Sequence, residues 1–298
     1  MNNNNTAQQV EKEKEYIMDL KKFDMNIVRD HNVIVIIGRR ETGKSYVARS
    51  IMYNKQDIPI GMIISPTEQF NEFFSEFVPK MLIHYEYTSK LVVDFLKRQA
   101  KQIKRINHYE GKSGMKSDID PRAFLIFDDC LADAQTWVKE KSTKTVFMNG
   151  RHYKFIFILT LQDPLGIPPK LRTNVDFTFI MREPYLSNRR RIYEAYAGVF
   201  PTFEIFCKVM DECTENFGCL VIHNNSKKNR IEDQVFWYRA DPELSFKLCP
   251  EQLWDLSKQV CPDTDDEDLT SEEEITEIPL YQYQKKSAIR LHVNKQDN

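Results

Sequence analysis

Short runs of unbroken apolar residues, each bounded by polar or turn-forming ones, punctuate the chain from residue 33 onward. Val33-Ile34-Val35-Ile36-Ile37 places five β-branched residues in a row, which predicts a strand covered on both faces rather than an alternating, half-wetted one. Ile58 to Pro66, Ala123 to Phe127, Phe155 to Thr160 and Val175 to Ile180 read as further strands. Helical segments are expected between them. Tyr46 to Met52 continues as an amphipathic helix, and a second helical stretch carries Phe70, Phe73, Phe74 and Phe77 as a core-facing stripe. Strand-like Met81 to Tyr85 leads into a long helix, and 107 to 120 forms a loop marked by Gly111, Gly114 and Pro121. Helices fill 187 to 197 and 201 to 213, and Gly218 to His223 with Gln234 to Tyr238 reads as a strand pair around the polar loop Asn224 to Arg230. The predicted class is α/β, a mainly parallel central sheet flanked by helices, with the C-terminal strand pair extending its edge.

Composition narrows the setting. With 298 residues and 41% apolar content the chain can bury a substantial core. Residues 1 to 30 read as an N-terminal extension, polar to residue 8 with a short helix over Gln9 to Lys22, ahead of one domain at 31–260 and a tail at 261–298. The net charge of -2 conceals a division: the tail holds 10 Asp plus Glu against 4 Lys plus Arg, or -6, leaving +4 for the rest. A mildly basic body permits nucleic-acid binding, and the acidic tail, with Tyr281, Tyr283, Lys285 and Lys286 near its end, suits partner docking. The six cysteines include no C-x-x-C pair, so neither a zinc site nor a redox dithiol is signalled. No apolar run approaches the roughly 20 residues needed to cross a bilayer, and the Asn-rich start lacks the form of a signal peptide. An intracellular protein in a reducing compartment is expected, with no transmembrane segment.

Chemistry enters at the end of the first buried strand. Gly38-Arg39-Arg40-Glu41-Thr42-Gly43-Lys44-Ser45 fits G-x-x-x-x-G-K-[ST], with a strand before it and a helix, opening at Tyr46, after it. Gly38 and Gly43 let successive N–H groups turn inward on nucleotide phosphates, and the helix N-terminus adds its positive end. Lys44 is expected on the β and γ phosphates and the Ser45 hydroxyl on Mg²⁺. Strand Ala123 to Phe127 ends in Asp128-Asp129, the form of a Walker B segment, about 80 residues after the loop. Asp128 is the metal candidate and Asp129 the base that orients an attacking water. Gln162, just past Phe155 to Thr160, is the candidate sensor of the γ-phosphate. Arg151, presented behind the helix-breaking Gly150, is placed to complete a neighbouring subunit's site, because guanidinium matches phosphate geometry. Gly111-Lys112-Ser113 lacks the preceding strand and is set aside.

Taken in this order, the two Walker segments, Ile64-Ser65-Pro66-Thr67, Gly150-Arg151-His152, Leu161-Gln162-Asp163 and Leu171-Arg172-Thr173-Asn174-Val175 resemble the FtsK/HerA-superfamily ATPases. The likeness is greatest to the genome-packaging ATPases of large double-stranded DNA viruses, the poxvirus-type branch, and covers about 31 to 240. It implies a P-loop NTPase of the RecA-like, additional-strand type that hydrolyses ATP with Mg²⁺. It implies a homo-oligomeric ring of six or five subunits that moves double-stranded DNA, working in the virion or the host cytoplasm. Capsid or membrane-associated virion proteins would meet the tail. By the same resemblance Arg151, eleven residues before Gln162, is the finger acting across the subunit boundary, with Arg172 a second candidate. One departure stands out: cellular members typically carry Glu where this chain has Asp129.

Candidate grips on DNA phosphates are Arg189-Arg190-Arg191, Lys227-Lys228-Arg230 and Lys97 to Arg105. Rival readings stay open: another FtsK/HerA-like DNA pump, a GTPase, a nucleotide kinase, or a silent scaffold. Asn54-Lys55-Gln56-Asp57 matches the guanine-reading N-K-x-D, but it lies at the end of the phosphate-loop helix, far ahead of the strand end where a base is read.

Overall fold

A computed structural model describes residues 18–130 and 137–261. Its strands are β1 (Lys21–Lys22), β2 (Val33–Ile37), β3 (Gly61–Ile64), β4 (Ile83–His84), β5 (Ala123–Phe127), β6 (Phe155–Leu161), β7 (Phe177–Ile180), β8 (Gly218–His223) and β9 (Val235–Arg239). The helices are α1 (Lys44–Tyr53), α2 (Glu68–Asn71), α3 (Ser89–Ser113), α4 (Lys141–Asn149), α5 (Pro169–Arg172), α6 (Leu186–Tyr196), α7 (Phe203–Cys213) and α8 (Glu251–Val260). Among the described residues the strands form one sheet in the order β1-β9-β8-β7-β2-β6-β5-β3-β4. Pairing is parallel throughout except at β8, which runs antiparallel to both β7 and β9.

The centre explains the five-residue β-branched run. β2 lies between β6 and β7, and all five of its side chains are buried. Successive residues point to opposite faces, so Val33, Val35 and Ile37 enter one core with Leu125, Phe127, Phe155 and Phe157, while Ile34 and Ile36 enter the other with Val47, Ile51, Ile126 and Ile158. Because the central strands are parallel, the chain leaves β2, β5, β6 and β7 at a single rim.

Several boundaries differ from the pattern reading. The expected helix over Gln9 to Lys22 instead reaches β1, whose Lys21 and Lys22 pair with Phe236 and Trp237 at the sheet edge; 9–17 fall outside the described residues. The phenylalanine-rich helix is a single turn, α2, after which Glu68 accepts hydrogen bonds from the backbone of Phe74 and Ser75. Phe74 and Phe77 are buried, whereas Phe70 is 82% exposed, so the stripe is not one face. The stretch Ile58 to Pro66 pairs only over β3, and Met81 to Tyr85 only over β4. α3 runs through Gly111 to Ser113 and stops at Gly114, whose φ of 68° a glycine takes without strain. Thr88 caps its start by accepting from Leu91 N–H. α8 was not anticipated; Ser257 on it accepts from Met81 N–H, which ties it beside β4. The polar start at 1–8 and the acidic tail with Tyr281, Tyr283, Lys285 and Lys286 lie outside the described residues.

β3 tolerates no side chain at its first position, because a Cβ on Gly61 would sit 2.2 Å from the ring of the fully buried Phe124. Gly61→Ala is expected to destabilise the fold by about 2 kcal/mol through overpacking, read as a lowered urea midpoint with unchanged slope.

Candidate functional site

The loop Gly38 to Ser45 leaves β2 at this rim and wraps the start of α1. Gly38 N–H donates to Leu161 O at 2.9 Å, pinning the loop to β6. A Cβ at Gly38 would fall 2.5 Å from Met181 Cβ and 2.6 Å from Thr42 Oγ1. Gly43 takes φ 93°, a left-handed conformation that turns the backbone into α1. The loop closes on itself, since Lys44 Nζ donates to Arg39 O at 2.9 Å and Thr42 Oγ1 to the same oxygen at 2.8 Å. Lys44 is buried, and that burial lowers its pKa against the pull of Asp129 and Asp128.

Both aspartates converge on it. Asp128 is buried, and its carboxylate collects three hydroxyls: Thr160 donates at 2.9 Å, Ser65 at 3.4 Å and Ser45 at 3.5 Å. Burial pushes its pKa up to about 6; the Thr160 hydrogen bond works against that, and the Asp129 charge adds to it. Asp129 takes φ 54° and donates its N–H to Thr160 Oγ1 at 2.9 Å, while Gln162 Nε2 donates to both of its carboxylate oxygens. Thr160 thus bonds to both acids through one hydroxyl. Lys44, Ser45, Asp128, Asp129 and Gln162 come from three strand ends into one cluster.

Thr160 was not singled out from the sequence, although its signal was there: one polar residue in the otherwise apolar, fully buried β6. Arg182 was missed too. With Arg39, Arg40, Glu41, Thr42 and Gln162 it lines a cavity of about 610 Å³ at the mouth of the loop. Arg39 stacks over the Tyr185 ring at 4.7 Å. Tyr46, in the first turn of α1, stands 41% exposed with its ring edge-on to Phe73.

Two predicted arginines lie elsewhere. Arg151 is exposed in the 3-10 turn after α4 and lines a cavity with Arg29, Asn32 and Val33 at the start of β2, the opposite rim. Seven residues of β6, roughly 20 Å at about 3.3 Å per residue, separate it from Gln162. Arg172 sits on α5 with its guanidinium over the Tyr196 ring at 5.4 Å. The N-K-x-D tetrapeptide is consumed by structure: Asn54 bonds Ser50 O, Lys55 pairs with Asp30, and Asp57 pairs with Arg122.

A buried carboxylate ringed only by hydroxyls, beside a lysine that folds back on its own loop, is suited to receive a cation. Among the described residues no three His, Cys, Asp or Glu gather into a metal cage. The donor set instead fits Mg²⁺, which takes one or two protein oxygens and completes its shell with phosphate and water.

No family model matches the chain. It is 39% identical over 229 residues to uncharacterized protein L437 of Acanthamoeba polyphaga mimivirus, covering 76% of this chain and 80% of that one. The chain belongs to this family of large-DNA-virus proteins. Among solved structures the family fold is similar to the monomer form of the pCW3 conjugation coupling protein TcpA with ATPgS, with TM-score 0.50, 14% identity, and coverage of 76% of this chain and 65% of that one. The genome packaging NTPase B204 from Sulfolobus turreted icosahedral virus 2, in complex with AMPPCP, aligns with TM-score 0.45 and 17% identity over 72% of this chain and 100% of that one. The α/β fold expected from the motifs is borne out: a mainly parallel central sheet flanked by helices, a fold the chain shares with that coupling protein.

The raised pKa of Asp128 has a cost for the native state. A carboxyl held near 6 instead of 3.8 favours the proton in the folded chain. The penalty is absent below about pH 4, where both states are protonated, and complete above about pH 6. Asp128→Asn is expected to stabilise the ligand-free protein at pH 8 by up to about 3 kcal/mol. In thermal unfolding the gain should shrink toward zero at pH 4.

Proposed function

We propose that this protein is an ATP-hydrolysing motor that drives double-stranded viral DNA into the capsid, with the motor domain at 31–260. The observation that carries the reading is the convergence of Lys44, Ser45, Asp128, Asp129 and Gln162 at one rim, with Ser45 and Asp128 3.5 Å apart. The triphosphate seats on the N–H groups of Gly38 to Ser45. Lys44 leaves Arg39 O for the β and γ phosphates. Ser45 and Asp128 would hold Mg²⁺, which when bound neutralises charge on the phosphate oxygens. Asp129 aligns water with the γ-phosphate for in-line attack. Gln162, bonded to Asp129, transfers its amide to the γ-phosphate and so reports which nucleotide is present.

Arg151 sits a strand's length from its own subunit's loop, which supports a role on the neighbour's nucleotide in a ring of six or five. Arg172, held over Tyr196, is the weaker of the two fingers. The three DNA-gripping patches separate once partners are assigned. Arg189 pairs with Asp211 and bonds Glu183 O, Arg190 lies over the Phe203 ring, and Lys228 pairs with Asp233. On α3, Lys97, Lys101, Lys104, Arg105 and His108 share one face and line one groove, and among the described residues only Lys97 of these five has an ion-pair partner, Asp94. That stripe is the favoured grip on DNA phosphates. Capsid or membrane-associated proteins dock on the acidic tail, and the motor works in the virion or host cytoplasm. Among the described residues no helix is long and apolar enough to cross a membrane.

The GTPase reading loses its tetrapeptide to packing, as described above. A kinase would not need Asp129 and Gln162 locked together, and the intact cluster disfavours a silent scaffold.

Duplex DNA is expected to stimulate ATP hydrolysis by the purified protein. Lys44→Ala should abolish turnover, and Gln162→Ala should keep nucleotide binding while slowing hydrolysis about a hundredfold; unchanged rates in either variant would refute the site. Mixing Arg151→Ala subunits with Lys44→Ala subunits should restore part of the activity that neither has alone. Co-assembled mixtures that stay inactive would rule out action across the boundary.

A further inference from the structure

Beside the phosphate loop lies a second cavity, of about 580 Å³, which shares Glu41 with the one Gln162 lines. Glu41, Gly43, Tyr46, Asn216, Phe217 and Arg239 are among the residues that form its walls. Phe217 is 70% exposed, although a phenyl ring in water gains nothing from being there. It is also held in an unfavourable backbone conformation: Asn216 has φ 48° and Phe217 φ 61°, both in the left-handed region that residues with a Cβ avoid. The turn that imposes this is tight. A Cβ on the next residue, Gly218, would sit 2.3 Å from Cys213 O, so the chain leaves α7 and enters β8 with no room to relax.

The strained ring is aimed at the phosphate loop. A Cβ on Gly43 would lie 3.9 Å from Phe217 Cδ1, which puts the ring edge beside the glycine that opens α1. Across the same cavity stands Tyr46, held by its edge-on contact with Phe73 at 5.1 Å between centroids. Arg239 closes the rim at the end of β9, exposed and without an ion-pair partner among the described residues. Two aromatic rings and a guanidinium without an ion-pair partner among the described residues, next to a phosphate cradle, offer stacking and cation–π surface to a flat heteroaromatic ring.

We infer that Phe217, Tyr46 and Arg239 seat the purine ring of the bound nucleotide, with Phe217 supplying the stacking face. This rests on the nucleotide-binding reading above and adds to it the part of the site that recognises the base. A purine presents more stacking area than a pyrimidine, so the pocket selects ATP and GTP over CTP and UTP. Phosphate groups on their own draw nothing from it.

Calorimetric titration of the full chain with Mg·ATP, Mg·CTP and inorganic tripolyphosphate separates the two halves of the site. Phe217→Ala should weaken Mg·ATP binding about tenfold, the loss of one base–aromatic stack, and leave tripolyphosphate binding within twofold. Phe217→Trp should restore ATP affinity, and Arg239→Ala should weaken ATP several-fold while sparing tripolyphosphate. The inference is overturned if Phe217→Ala and Arg239→Ala leave ATP affinity unchanged, if they weaken tripolyphosphate equally, or if wild type binds CTP as tightly as ATP. A wild-type chain that binds tripolyphosphate but ATP no differently in any variant refutes the base pocket alone. One that binds neither refutes the phosphate site and the pocket together.

Discussion

A single buried hydroxyl holds the candidate site's rim in register. Thr160 donates to the Asp128 carboxylate and accepts from the Asp129 N–H, so two adjacent acids on β5's exit are fixed to β6. The bond forms only because β5 and β6 pair in parallel with Phe127 opposite Leu159, which brings the strand ends level. Gly38 N–H, bonded to Leu161 O, levels β2 against the same strand. β6 is therefore the reference from which the lysine loop, the acids and the glutamine are all measured.

That arrangement is electrostatically unfavourable as it stands. Asp128 is buried, and its pKa rises to about 6 because water is excluded. Lys44 is buried as well and spends its donor on its own loop. Burial penalises the charged form of both groups. Elsewhere the chain spends its charges on structure. Arg122 bridges Asp30, Asp57 and Asp120 at the far side of β5, and this cluster absorbs the N-K-x-D aspartate that resembled a guanine reader.

Legibility followed how local each signal is. The central strands were plain because burial on both faces leaves largely apolar runs, and the Gly38 to Ser45 loop because its two glycines are demanded by local backbone geometry. The phenylalanine stripe misled. Its spacing fits a helix, yet Glu68 turns back to bond Phe74 and Ser75 and ends the helix after one turn, a tertiary outcome no periodicity contains. β1 was read as helical because two lysines carry no strand signal of their own; its pairing depends on an open edge offered by β9. α3 outran its expected end because Gly111 is tolerated within a helix, and only Gly114 reaches a left-handed angle.

By itself the sequence determined the α/β class, the strand-loop-helix unit around Gly38 to Ser45 and the two acids, since each depends on residues adjacent in the chain. Tertiary structure alone decided that Thr160 ties the acids together, that Arg182 joins the loop's mouth, and that Phe217 stands over Gly43. It also decided that Arg151 faces the opposite rim. These facts depend on strand order and register, which join residues distant in sequence; a linear pattern records what each segment prefers but not which segments become neighbours.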